Sequence, residues 1–146
     1  MTAVAQVIAS LLRVASEDLD GARQLCSTGN RNAIYLCQQA VEKILRAMLT
    51  SEGTHAGVKH DLDQMTGELP DENPFKARMH PLAYLTRFAT SFRYPTSAGR
   101  IVAAPSPDAT LQAITQVAAL LESAAHHFGV DLEKEVGPAA VTTPPR

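Results

Sequence analysis

Apolar residues recur at steps of three and four in three long stretches of the chain, the pattern of helices that bury one face. The first stretch carries Val4, Ile8, Leu11, Ala15, Ala22 and Leu25, and neither Gly nor Pro interrupts it before Gly21. Ser27-Thr28-Gly29-Asn30 then supplies turn chemistry, with Gly or Asn suited to a left-handed helix end. The second stretch carries Ile34, Cys37, Val41, Ile44 and Met48 and ends near Gly53. The last carries Leu111, Ile114, Ala118, Leu121, Ala125 and Phe128; Ser106-Pro107-Asp108 marks its start and Gly129 its stop. Helices of about 25 residues would span close to 37 Å, and a four-residue turn makes the first two antiparallel neighbours. Two shorter helices are predicted between the second and last stretches, over 61–69 and 81–92, with Pro81 in the first turn of the latter. No alternating β-branched run announces a strand. The predicted fold class is all-α, a four- to five-helix up-and-down bundle over residues 1–133. The segment 134–146, rich in Pro, Thr and Val, has no periodicity and is expected to be a disordered tail.

Composition narrows the class without changing it. At 146 residues, 45% hydrophobic and 19% charged, the chain has the size and balance of one globular domain that needs no disulfide or metal to fold. No apolar run approaches the roughly 20 residues that span a bilayer, and the first 20 residues lack the basic start of a signal peptide. The expectation is a cytoplasmic protein with no membrane partner. Cys26 and Cys37, each beside a leucine, are expected as reduced core thiols rather than a disulfide.

A formal net charge of −2 does not suit a general DNA binder, but the charge is unevenly placed. Asp61, Asp63, Glu68, Asp71 and Glu72 form an acidic segment. Lys76, Arg78, Arg87, Arg93 and Arg100 follow with no acid among them. That asymmetry suits an anion or an oppositely charged surface; scattered solvated faces are the alternative.

Several residues could carry chemistry. Gln39, Glu42, Lys43 and Arg46 are placed opposite the apolar stripe of the second helix. They read either as a solvated face with a Glu42–Arg46 ion pair, or as a basic pair, Lys43 and Arg46, directed into a groove. His60, next to Asp61, could hold its loop or present an imidazole to a phosphate. Phe92-Arg93-Tyr94-Pro95 ends a helix, because proline disfavours helix in the residue before it. It sets a guanidinium for bidentate phosphate contact beside a tyrosine ring for stacking. The site predicted from these residues is one phosphate pocket lined by Lys43, Arg46, His60, Arg93 and Tyr94. No metal site is expected: His126 and His127 diverge by about 100° on their helix, and His55, His60 and His80 lack zinc-ligand spacing. No cofactor is expected either, since Gly-x-Gly-x-x-Gly, phosphate-loop and nucleophile-elbow patterns are absent.

Three of these pieces resemble the HEPN domain family. They are Asn32-Ala-Ile-Tyr-Leu-Cys-Gln-Gln-Ala-Val-Glu-Lys-Ile-Leu-Arg46, like the family's helix with its Gln-Gln-Ala-x-Glu-Lys core; Lys59-His60-Asp61-Leu62, like its His-Asp-Leu loop; and Arg93-Tyr94-Pro95, like its Arg-Tyr-Pro. Their order and separations also fit, over roughly residues 12–128. The resemblance implies a helical bundle, usually homodimeric, that binds nucleotides. Such domains are often paired with a minimal nucleotidyltransferase partner in a toxin–antitoxin-like system. Many members are metal-independent ribonucleases with Arg and His four to six residues apart. No arginine here has a histidine at that distance downstream, so no catalytic residue is assigned. The sequence thus supports a nucleotide- or partner-binding module, with enzyme activity left open and weighed against by the missing histidine. A ribonuclease of altered motif, using His60 or His80 with Arg93, and a purely structural bundle are the competing readings.

Overall fold

The computed structural model describes residues 2–55, 57 and 61–134, and among them it is helical with no strand. Helix α1 runs Ala3–Ser27, α2 Asn32–Ser51, α3 Leu62–Gly67, α4 Lys76–Met79 and α5 Pro107–Phe128. Two 3-10 helices, His80–Phe88 and Ser91–Arg93, lie between α4 and α5. Of the predicted tail, only Lys134 is described.

The three long helices end in the same way. At the end of α1 the Asn30 amide donates to the Leu25 carbonyl at 2.9 Å and the Gly29 amide to the Cys26 carbonyl at 3.1 Å. Glycine stands there at φ 71°, where a side chain would be strained. This paired closure caps carbonyls that the helix itself leaves free. It recurs at Gly53, where Thr54 donates to Leu49, and at Gly129, where Val130 donates to Ala125. The starts of α1 and α5 are capped by hydroxyls: Thr2 accepts from the Ala5 amide and Ser106 from the Ala109 amide.

α1, α2 and α5 pack on one another, with α2 innermost. The predicted stripe of α2 is entirely buried, and so are Gln38, Ala40, Glu42, Leu45, Ala47 and Leu49. On α1 the register differs from the expected one. Ile8, Leu12, Ala15, Leu19 and Ala22 face the core, whereas Val4 is exposed and Leu11 and Leu25 are half-buried. Two apolar stripes run side by side on α1, and spacing alone does not say which one is covered. On α5 likewise, Leu111 is exposed, and Ala113, Val117, Leu120 and Ala124 join Ile114, Leu121 and Ala125 in the core. At Gly21 α1 lies close against α2, so that a Cβ there would stand 2.9 Å from Leu36 Cδ1.

The middle of the chain departs from the prediction in form. Asp61 caps α3, its carboxylate accepting from the amides of Asp63 at 2.9 Å and Gln64 at 3.1 Å. The helix expected over 81–92 instead starts at Lys76 and tightens at His80 into the 3-10 form. Its buried residues explain the tightening. Met79, Leu82, Leu85 and Phe88 are all buried at steps of three. A helix of three residues per turn keeps such a row on one line, whereas an α-helix would carry it round by about 60° per step. This segment packs on α2, and α3 and α4 pack on it.

Candidate functional site

Arg31, the residue before α2, ties the start of that helix to the chain on either side of residues 93–101. Its Nη1 donates to the Val102 carbonyl at 2.9 Å and its Nη2 to the Phe92 carbonyl at 3.0 Å. The same guanidinium lies over the Phe92 ring, 4.2 Å from its centre. One planar fork therefore closes the base of a loop whose nine residues, 93–101, are all exposed. Inside the loop, the Thr96 amide donates to the Arg100 carbonyl at 2.7 Å and the Arg100 amide to Thr96 Oγ1 at 3.0 Å. The loop presents Arg93, Tyr94, Arg100 and Ile101 to solvent.

Arg93 is packed against aromatic rings and, among the described residues, makes no ion pair. Its guanidinium sits 4.5 Å from the centre of the Tyr35 ring on α2 and 5.9 Å from that of Tyr94. Stacking on an aromatic face fixes the plane and leaves the N–H edge for an acceptor. Among the described residues, Arg78, Arg87 and Arg100 also make no ion pair; Arg78 and Arg87 lie over the rings of Phe75 and Phe88. Lys76, by contrast, donates to Asp71 at 2.9 Å, and this bond and charge hold the Asp71 carboxyl below its usual range. The acidic and basic segments thus meet at their junction and, among the described residues, leave four arginines without an ion pair.

From Tyr35 the polar face of α2 continues through Gln39, Glu42 and Arg46. It is not the solvated face that its composition suggests. Glu42 is buried, bonded by Arg46 at 3.1 Å and approached by the amides of Gln38 at 3.3 Å and Gln39 at 3.5 Å. Arg46 also donates to the Gly57 carbonyl at 2.7 Å. A carboxylate in this position needs such partners, because burial of an unpaired charge costs several kcal/mol. Lys43 turns toward α1 and pairs with Asp18 at 2.6 Å.

The structure therefore distributes the predicted site residues. Arg93 and Tyr94 are together, joined by Tyr35. Arg46 stands 11 residues further along α2, about 16 Å of helix rise from Tyr35. Lys43 is on the α1 side, and His60 lies outside the described residues. Tyr35 and Arg31 were not singled out in the sequence. Only their place at the start of α2, one step before it and one turn into it, could have drawn attention to them.

The other titratable groups do not assemble into a centre. No three His, Cys, Asp or Glu among the described residues could hold a metal together. His80 is 3.8 Å from Asp63, and His127 stacks edge-on against Phe75 and Phe128. Cys26 and Cys37 are free thiols. Burial, reinforced by the nearby Cys26, pushes the Cys37 thiol up to about 12, which leaves it unreactive at neutral pH.

A family model described as the HEPN domain matches residues 8–127, from the first buried residue of α1 to the last turn of α5. The chain belongs to the HEPN family. Neither the curated proteins nor the solved structures compared with it give a match. Five to seven positions after Arg78 stand Ala83, Tyr84 and Leu85, and after Arg87 stand Phe92, Arg93 and Tyr94, with no histidine among them. No described helix is long and apolar enough to cross a membrane.

Proposed function

We propose that this HEPN domain is a homodimeric, non-catalytic binding module of the cytoplasm that takes the phosphate of a nucleotide at Arg93. It would serve as the partner of a minimal nucleotidyltransferase in a toxin–antitoxin-like pair. One observation carries the reading: the Arg93 guanidinium lies over the Tyr35 ring, on an exposed loop whose base Arg31 closes, with no carboxylate on it among the described residues. Tyr94, 65% exposed, offers a face for a base. Arg46 would extend the site along α2, and Lys43 would border it once released from Asp18; His60, the remaining candidate, lies outside the described residues.

Titration calorimetry with a panel of nucleotides tests the reading. A charge-assisted arginine–phosphate contact contributes about 1.5–3 kcal/mol, so Arg93→Ala should weaken binding roughly ten- to hundredfold. Its thermal midpoint should stay close to that of the parent. Absence of binding at millimolar nucleotide, together with an earlier melting Arg93→Ala variant, would instead make Arg93 a structural residue.

A further inference from the structure

A second row lies beside the buried one on the segment from α4 through the long 3-10 helix. Arg78, Pro81, Tyr84 and Arg87 are exposed and follow one another at steps of three, so they too stand close to one line. The rise of the segment sets its two arginines about 17 Å apart. Each guanidinium rests over a ring, 5.7 Å from the centre of Phe75 for Arg78 and 5.4 Å from that of Phe88 for Arg87, which limits how far it can wander. Between the arginines the surface is neutral. Tyr84, 47% exposed, reaches α5, its hydroxyl 3.5 Å from Gln116 Oε1. α5 has no charged residue between Asp108 and Glu122. A groove of about 330 Å³ runs along it, lined by Leu111, Gln112, Thr115 and Gln116, and Leu111 is 50% exposed. We propose that this face docks another protein through an amphipathic helix that is acidic at both ends and apolar between them. The inference goes beyond the phosphate site at Arg93. It concerns a different surface and a polypeptide ligand, and it stands or falls apart from nucleotide binding.

Charge, length and composition together commit the occupant. No acid occurs between Lys76 and Arg100, and Arg78 and Arg87 make no ion pair among the described residues, so carboxylates complete both ends of the row. A helix of about 12 residues is about 18 Å long. Carboxylates in its first and last turns fall over the two arginines while its middle lies on Tyr84 and Leu111. An uncharged centre carrying a tyrosine, with arginines at the rim, is the composition of protein–protein contacts. A single-stranded nucleic acid fits less well, because it carries a charge at every nucleotide and the row has no cation between its ends. A second copy fits less well again. Pairing this face with itself sets arginine against arginine whichever way the copies run, and such like-charge contacts act against a partner.

Fluorescence anisotropy of the full chain tests this with a labelled, side-chain-stapled peptide of about 16 residues, long enough to cover the row as a helix. It is built on alanine, with two glutamates in each terminal turn and leucines along one side between them. The parent should bind it at least about tenfold more tightly than the same peptide with lysine for each glutamate, and the preference should shrink as salt is raised from about 20 to 300 mM. Arg78→Ala with Arg87→Ala should weaken binding at least about tenfold with unchanged circular dichroism, because both side chains already stand in solvent. Arg78→Glu with Arg87→Glu should reverse the preference toward the lysine peptide, and Arg93→Ala should bind the acidic peptide like the parent. A parent that does not discriminate between the peptides overturns the proposal, and so does binding that survives in the Arg78 and Arg87 variants or disappears in Arg93→Ala. A labelled decamer of uridylate bound more tightly than the acidic peptide, and lost in the same double variant, would make the face a nucleic-acid surface instead. A change in sedimentation equilibrium on Arg78→Ala with Arg87→Ala would make it a contact between copies of the chain, which equally rejects the docked helix.

Discussion

The long helices and the segment 61–104 are held by different means. α1, α2 and α5 bury continuous stripes, and each closes on a glycine at positive φ. Between α3 and α5 the chain instead runs through one α-turn, two 3-10 helices and an exposed loop. What fixes it is a row of four apolar side chains at steps of three and a few polar clasps: Arg31 on two carbonyls, and Thr86 Oγ1 accepting the Leu62 amide at 3.1 Å. The long helices supply stability from area. The middle segment supplies position from individual bonds, and the candidate binding residues stand where those bonds end. A contrast of this kind is expected where function sits on loops placed by a rigid scaffold.

The largest loss of stability is expected from the long helices. Leu45, on α2, is fully buried. Leu45→Ala should cost about 2–5 kcal/mol through lost transfer energy and the cavity left behind. Denaturant unfolding should show a lower midpoint with amide protection falling throughout the chain. Protection lost only in 61–104 would show that the two regions unfold separately.

Arg31→Ala sharpens the contrast with a smaller effect. It removes two bonds donated by a charged group and leaves two carbonyls without their donor, a loss of about 1.5–3 kcal/mol. Hydrogen exchange should rise across 92–102 while α2 and α5 keep their protection, and trypsin should cut sooner after Arg93 and Arg100. Arg31→Lys should recover little of this, since an ammonium cannot reproduce the planar fork. Uniform loss of protection would mean that Arg31 belongs to the core's stability and not to the loop.

The smallest effect is at the junction of the acidic and basic segments. Lys76 depresses the Asp71 carboxyl below its ordinary 3.8. The contact therefore stabilises above that ordinary value and is lost as pH falls through the lower folded one. Asp71 is exposed, so screening removes most of the benefit. Asp71→Asn should leave the thermal midpoint at pH 7 almost unchanged and remove a slight acid-side dependence below about pH 4.

The three long helices and their ends were legible because each rests on local chemistry: a hydroxyl or proline at the start, a glycine at the stop, and apolar steps between. The stripe assignment on α1 was not, since Val4, Val7, Leu11 and Val14 satisfy the same spacing as Ile8, Leu12, Ala15 and Leu19. The 3-10 form over 80–88 was written in the steps of three from Met79 to Phe88, but a proline near the start and a generic helical pattern masked it. Within the candidate site, Arg93 and Tyr94 could be placed from Pro95 alone. Tyr35 and Arg31 could not, because their partners lie about 60 residues away in the chain. Glu42 looked solvated because its neighbours are polar, yet those neighbours are what allow it to be buried.

The closure made by Arg31 also bears on how this surface could change over generations. The loop is tied at residues 92 and 102 by a side chain from another element, so nothing within 93–101 has to hold the bundle shut. Residues there can be exchanged, inserted or removed at little thermodynamic cost, because loop entropy grows slowly with length. The segment is in effect a cassette. Lineages sharing this scaffold are free to diversify what they recognise by rewriting nine positions, and a designer could graft a foreign recognition sequence at the same two anchor points.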